Sequence, residues 1–159
     1  MEDVTTLERL TVDLTASMKA RTAFQTNTLR QMIAAVRTAE KAGSVARELT
    51  EEQVQAVLSA EAKKRRESAQ IYATAGASER AATETSEADL IESYLPPALS
   101  MEQLGVIVSD AIASTGAATL KDMGAVMKVA TAAAADLGRV DGKALSERVR
   151  SALTGTGGV

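Results

Sequence analysis

The longest run of like charge in the sequence consists of four basic residues, Lys63, Lys64, Arg65 and Arg66. Lys and Arg bind the phosphates of a polyanion such as RNA, so this basic run is a candidate nucleic-acid patch. Successive helix residues are turned by about 100°, so the four side chains spread around a helix instead of forming one face. Glu61 precedes Arg65 by four residues, and Glu67 follows Lys63 at the same spacing, which allows local ion pairs. The basic run therefore predicts either a polyanion patch or a solvated helix face.

A second group of basic residues lies in the last third of the sequence. Lys121 and Lys128 are two helical turns apart, which predicts that they share one face of a helix. Arg139 and Lys143 belong to the segment "GRVDGK", residues 138–143. These four residues form a second candidate RNA-binding surface, because a surface that follows a phosphate backbone needs spaced cations. An equal number of acidic residues in this part of the chain also fits ordinary surface charge.

The segment "GRVDGK" is similar to a phosphate-binding P-loop but departs from its pattern. Three residues separate its glycines where the P-loop has four, and Ala144 follows Lys143 where the P-loop has Ser or Thr. Asp141 can instead cap a helix, whose first-turn amides, between Arg139 and Lys143, can hold one backbone phosphate. A turn built on Gly142 also explains the segment. We expect no bound nucleotide.

The sequence contains neither cysteine nor histidine. It therefore lacks a thiolate nucleophile, an imidazole base and the ligands of a zinc site. Pairs of carboxylates such as Glu51 with Glu52, or Asp110 with Asp122, are candidates for acid–base work, but their polar context is typical of exposed helix ends. We expect no catalytic residue, no metal and no cofactor.

The overall charge and hydropathy restrict the partners of the chain. A formal net charge of -3 and a pI near 5.1 argue against a protein that coats nucleic acid indiscriminately. The sequence has no apolar run long enough to span a bilayer and no basic-then-apolar leader. These features predict a cytoplasmic protein without membrane contact.

Apolar residues recur at helical spacing through the first half of the sequence, and aromatic residues are scarce, which favours close-packed helices. The first predicted helix has its apolar stripe on four residues, Leu7, Leu10, Leu14 and Met18. The second ends at Gly43, and its stripe comprises Phe24, Leu29, Met32, Ile33 and Val36. The third starts at a capping box formed by Thr50 and Gln53, ends near Gly76 and contains the basic run. Ser78 is predicted to cap the fourth.

Pro96 and Pro97 prevent the fourth helix from continuing. Ser100 and Gln103 form a second capping box, which opens a fifth helix that ends near Gly116. The sixth is predicted over residues 120–137, with Met123, Val126, Met127 and Ala130 on one face. The seventh follows Asp141, with Leu145, Val149 and Leu153 on its apolar face. The methionines at these spacings indicate core packing and not a pliable groove for partner helices.

The sequence therefore predicts an all-α protein with two helical units. An N-terminal unit of about four helices occupies residues 1–95, a three-helix unit occupies residues 99–154, and residues 155–159 form a frayed end. A tight corner at Pro96 and Pro97 inside one continuous bundle is the alternative.

Several segments in combination resemble those of a known family. They are "AEAKKRRESAQIY" through "SYLPPALS", then "KDMGAVMK", then "GRVDGKALSERV". Together they are similar to the YqeY family of small bacterial proteins, and the second half resembles the tail domain of GatB, a subunit of the tRNA-dependent amidotransferase. The resemblance implies a helical N-terminal unit followed by a three-helix unit. It also implies an association with tRNA, because the GatB tail is associated with holding tRNA.

Three functions are open at this point. The first is a non-catalytic module that binds tRNA or a protein partner in tRNA aminoacylation or amidation. The second is a helical adaptor between proteins, which the negative net charge fits at least as well. The third is the carbon–nitrogen ligase label, with glutamine as amide donor, that the resemblance to GatB suggests. Intrinsic ligase activity is not expected, because the resemblance implies that amide transfer belongs to other domains of the amidotransferase.

Overall fold

The structure is a computed structural model that describes residues 3–155. Every regular element in that range is helical, so the all-α prediction is confirmed. Seven α-helices and one short 3₁₀ helix follow one another, and the only strand-like feature among the described residues is an isolated bridge between Ala98 and Arg139. The elements are α1 (Thr6–Ala20), α2 (Ala23–Glu40), α3 (Glu51–Thr74), α4 (Ser78–Glu92), α5 (Met101–Thr115), the 3₁₀ helix (Leu120–Asp122), α6 (Met123–Ala135) and α7 (Gly142–Gly155).

Both predicted capping boxes are present. The Gln53 backbone N–H donates to Thr50 Oγ1, and the Thr50 N–H donates to Gln53 Oε1, so the orphan donors at the start of α3 are satisfied. Ser100 and Gln103 make the same reciprocal bonds at the start of α5. Gly116 follows α5 with φ +67°, a left-handed conformation that favours glycine.

Two helix boundaries in the N-terminal half of the chain, the end of α2 and the start of α4, differ from the sequence prediction. Ser78 is the first residue of α4, not its cap, because Ala77 occupies the cap position and no side chain bonds to the first turn. α2 ends at Glu40, before Gly43, because the backbone N–H groups of Lys41 and Ala42 turn back to carbonyls three residues earlier.

The sixth helix is shorter than predicted. Asp122 accepts hydrogen bonds from the backbone N–H groups of Ala118 and Thr119, and this turn folds Leu120–Asp122 as a 3₁₀ helix before α6 begins. These bonds hold the pKa of Asp122 below its usual value. Gly155 ends α7 as a helical residue, and the rest of the predicted frayed end, residues 156–159, lies outside the described part of the chain.

Contacts group the chain into two compact units, the first ending at Leu95 and the second beginning at Pro96. The first unit packs α1 to α4 around one apolar core, whose buried members are Leu10, Leu29, Met32, Val36, Val54, Leu58, Ala62, Ile91, Tyr94 and Leu95. We call the second the tail unit. It packs α5, α6 and α7 around a core of small and aliphatic side chains, namely Leu104, Ile107, Val108, Ala111, Val126, Ala130, Ala134, Leu145, Val149 and Leu153.

Met32, Met123 and Met127 occupy the positions that core packing predicts, whereas Met18 does not. Met32 is buried in the first unit, and Met123 and Met127 pack partly buried against the core of the tail unit. Met18, predicted on the apolar stripe of the first helix, is instead half exposed, and so is Phe24 at the start of α2. Both lie close to the turn that joins α1 to α2, where the apolar stripe reaches the edge of the core.

No helix among residues 3–155 has both the length and the apolar character needed to cross a bilayer.

The Leu58→Ala variant should show how far the first unit depends on its core. Leu58 is fully buried in α3, so truncation should lower the free energy of unfolding by about 2–5 kcal/mol. Ile71→Ala is the matched control, because Ile71 lies on the same helix but is 69% exposed. Urea unfolding followed by circular dichroism measures both. Equal losses in the two variants would contradict the core assignment.

Candidate nucleic-acid interface

Arg65 of the basic run is turned inward onto α2 and α4. Its Nε lies 3.0 Å from Glu87 Oε2, its Nη1 lies 2.8 Å from Glu61 Oε2, and its Nη2 donates to Gln31 Oε1 at 2.6 Å. The side chain is only 11% exposed. Burial alone lowers the pKa of Arg65, but hydrogen bonds to the two carboxylates outweigh it, and the pKa lies above its usual value. This guanidinium joins three helices of the first unit.

Arg66 binds two acidic residues of α4. Its Nη2 lies 2.8 Å from Glu92 Oε2 and 2.5 Å from Asp89 Oδ1. The hydrogen bonds to Glu92, then those to Asp89, raise the pKa of Arg66. Its positive charge is therefore already matched by carboxylates of the fold.

The two lysines of the basic run differ from each other. Lys64 Nζ lies 3.0 Å from Glu61 Oε1, although 71% of its side chain is exposed. Lys63 is exposed and makes no ion pair with any described residue, so the predicted pairing with Glu67 is absent from that range. The predicted pair of Glu61 with Arg65 is present.

Glu61 is the shared acid of this network. Burial raises its pKa, but the hydrogen bonds and charges of Arg65 and Lys64 outweigh that effect, so the pKa lies below its usual value. The ion pairs with α4 were not anticipated from the sequence. The sequence contains a signal that could have predicted the pair of Arg65 with Glu87. The two residues are equally distant in sequence from Gly76, which lies in the turn between α3 and α4.

The second candidate group, Lys121, Lys128, Arg139 and Lys143, is called the tail cations below. Lys121, Lys128 and Lys143 are exposed, and Arg139 is half-buried. Within residues 3–155, none of the four forms an ion pair within 4.0 Å, and all ion pairs found there belong to the first unit. The tail cations thus have no described acid that neutralises them at close range.

Lys121 and Lys128 were predicted to lie on one helix. Lys121 instead lies in the 3₁₀ helix and Lys128 in α6, so the prediction of a single continuous α-helix that contains both is wrong. Arg139 sits in the connection to α7, where its backbone N–H donates to Pro97 O and its Nε donates to Pro96 O, both at 3.4 Å. Lys143 is the second residue of α7.

Asp141 caps α7 as the sequence predicted. Its Oδ1 accepts a hydrogen bond from the Lys143 backbone N–H at 3.0 Å. A first-turn amide that a phosphate would use is therefore already occupied, and the exposed carboxylate adds negative charge at this point. The segment "GRVDGK" is accordingly a capped helix start and not a phosphate cradle.

No cluster of three or more acidic side chains suited to a metal ion occurs among residues 3–155.

The structure defines an all-helical protein of two units. Among residues 3–155, Lys64, Arg65 and Arg66 of the basic run pair with acids, whereas Lys63 and the tail cations form no ion pair. A sequence model of the family described as Yqey-like protein matches residues 7–153. The chain belongs to the YqeY family, in agreement with the resemblance of its motifs. No curated protein matched the sequence.

The Arg65→Gln variant tests whether the basic run stabilises the first unit. Loss of the guanidinium leaves the carboxylates of Glu61 and Glu87 without their shared partner, so the free energy of unfolding should fall by about 1–3 kcal/mol. Lys63→Gln removes the same charge from an exposed position and should cost less than about 0.5 kcal/mol. Urea unfolding of both variants measures the difference. Similar costs would contradict an inter-helix role for Arg65.

The Glu61→Gln variant tests the same network through pH. A carboxylate whose folded pKa is lowered stabilises the fold above its unfolded value, 4.5, and this stabilisation disappears as pH falls through the folded pKa. The variant should therefore lose stability at pH 7, and the loss should shrink towards pH 2. Unfolding free energies at both pH values measure this. Glu67→Gln, which removes a charge from α3 without removing an ion pair, is the control. A constant loss at both pH values for Glu61→Gln would contradict the pKa shift.

Proposed function

We propose that this YqeY-family protein is a non-catalytic, tRNA-associated module whose tail unit contacts the phosphates of folded RNA. The observation that supports the proposal most directly is the absence of close acidic partners for the tail cations in the described chain. The resemblance of the second half to the GatB tail supports tRNA as the RNA class. On the same ground, a protein partner would belong to tRNA aminoacylation or amidation.

Unpaired cations gain more from a phosphate than paired ones do. A solvated lysine such as Lys121 or Lys128 neutralises a phosphate and releases its counterion at little cost. To bind a phosphate, Arg65 or Arg66 would first have to break its ion pair with a carboxylate of α4. The tail cations therefore form the principal proposed contact surface. The basic run is a secondary patch, in which Lys63 and the exposed Lys64 are the more available residues.

The distribution of aromatic side chains favours folded RNA over single strands. Tyr94 is buried and donates to Asp13, Tyr72 is half-buried beneath Arg80, and Phe24 is the third aromatic residue. All three belong to the first unit, so the tail unit has no ring on which an unstacked base could stack. Recognition by the tail unit must then rely on phosphate positions and RNA shape.

A helical protein adaptor is the second candidate function. Its support is the exposure of Phe24, which is 42% exposed and borders a shallow groove with Ala82, Thr83 and Ser86 of α4. Aromatic side chains are enriched in protein interfaces relative to the rest of the surface. A pull-down that captures one protein partner in stoichiometric amount, even after nuclease treatment, would favour this function over RNA binding. The Phe24→Ala variant should then fail to capture that partner.

The RNA proposal is tested with a variant in which the four tail cations are replaced by alanine. Fluorescence anisotropy of labelled bulk tRNA, titrated at several salt concentrations, should show affinity falling by about tenfold or more, with a shallower salt dependence, because fewer phosphates are neutralised. The charge-matched control carries Lys19→Ala, Arg30→Ala, Lys41→Ala and Arg47→Ala. These four exposed residues of the first unit form no ion pair with another described residue.

Three outcomes of this experiment would contradict the proposal. Equal losses in the two quadruple variants would attribute binding to net charge alone. Equal affinity for tRNA and for a poly-pyrimidine strand would remove the preference for folded RNA. Absence of binding at low salt would leave the protein adaptor as the better candidate.

A further inference from the structure

An open groove lies between α5 and α7 of the tail unit, and neither the family match nor the proposed function assigns a role to it. Its volume is about 460 Å³, which is within the range of small-molecule sites. α5 contributes Gly105, Ser109 and Ile112 to its lining, and α7 contributes Arg148, Ser151 and Ala152. We refer to it as the α5–α7 groove.

The guanidinium of Arg148 lies against Gly105 of α5. A Cβ atom at position 105 would stand 2.7 Å from Arg148 Nη2, closer than two such atoms approach. The missing side chain therefore lets the guanidinium rest against the backbone of α5, along the wall of the groove. A glycine inside a helix costs about 0.5–1 kcal/mol relative to alanine, so this opening has a cost in stability.

The polar groups of the groove have unused hydrogen-bonding capacity. Arg148 makes no ion pair with any acid among residues 3–155. The hydroxyl groups of Ser109 and Ser151 likewise have no hydrogen-bond partner in the described chain. The planar guanidinium of Arg148 can bind both oxygens of a carboxylate, and the two serine hydroxyl groups line the same groove.

The remaining lining of the groove is aliphatic. Ile112 and Ala152 are both partly buried against the tail core, and Val108 of that core also lines the groove. Such a surface gains free energy from burying methylene groups but offers no further polar contact. The groove thus combines a guanidinium group, which can bind an anion, with an aliphatic lining.

We propose that the α5–α7 groove binds a small aliphatic carboxylate, with the carboxylate on Arg148 and the alkyl chain against Ile112 and Ala152. This inference does not depend on RNA binding. An RNA phosphate would bind the guanidinium but would make no contact with the aliphatic lining. Phosphates and aliphatic carboxylates are therefore distinguishable by experiment.

The proposal is tested by titrating the whole chain with hexanoate and following backbone amide shifts by NMR. Hexanoate should shift the resonances of the groove residues and bind about tenfold or more tightly than acetate, because acetate lacks most of the alkyl chain. Hexylamine has the same chain with the opposite charge and should not bind. Inorganic phosphate should bind more weakly than hexanoate. Equal responses to hexanoate and phosphate, or to hexanoate and hexylamine, would overturn the proposal.

Two substitutions locate the binding in the groove. Arg148→Gln should weaken hexanoate binding by about tenfold, whereas Arg150→Gln, on the same helix but outside the groove lining, should leave it unchanged. Gly105→Ala should raise the melting temperature, since alanine favours the helix, and yet weaken binding because its Cβ displaces the guanidinium. Weaker binding in a more stable protein excludes unfolding as the cause.

The same variants separate this proposal from the proposed function. Gly105→Ala leaves the tail cations in place, so its affinity for tRNA should not change. Loss of tRNA binding in the four-cation variant with hexanoate binding retained would support both proposals independently. Unchanged hexanoate affinity in both Arg148→Gln and Gly105→Ala would overturn the carboxylate site alone.

Discussion

The attachment of α4 to α3 through ion pairs is the interaction on which the organisation of the first unit depends. α4 has only two buried residues, Ala88 and Ile91, and Leu90 packs partly buried against the same core. Arg65 and Arg66 also bind three acids of α4. Several charges that form a network on adjoining helices stabilise more than isolated surface pairs do. The basic run is therefore part of the architecture of this unit.

This constraint also determines where positive charge remains available. The first unit uses the guanidinium groups of its densest basic segment internally, while the tail unit contains cations without close acidic partners in the described range. A chain with a negative net charge can in this way keep individual cations available to an anionic partner. The division follows from the pairing of individual residues and is not visible in the composition.

The helical elements could be predicted from the sequence because the signals that start and end a helix are local. Capping at Thr50 and Ser100, and the chain reversals near Gly76 and Gly116, depend on residues a few positions apart. The same locality explains the confirmed pair of Glu61 with Arg65. Contacts between helices are less accessible, since the partners of Arg65 on α4 depend on how two helices align after a turn. The α5–α7 groove is another example, because nothing in the local sequence brings Arg148 to Gly105.

The placement of the two tyrosines has a consequence for spectroscopy. The chain has no tryptophan, and Tyr72 and Tyr94 both belong to the first unit. Tyr94 is buried, and its hydroxyl donates to Asp13, beside the guanidinium of Arg9. Burial, together with this carboxylate, raises the pKa of Tyr94, so the ring remains a neutral phenol far into the alkaline range. Intrinsic aromatic fluorescence therefore reports on the first unit alone, because the tail unit contains no aromatic side chain.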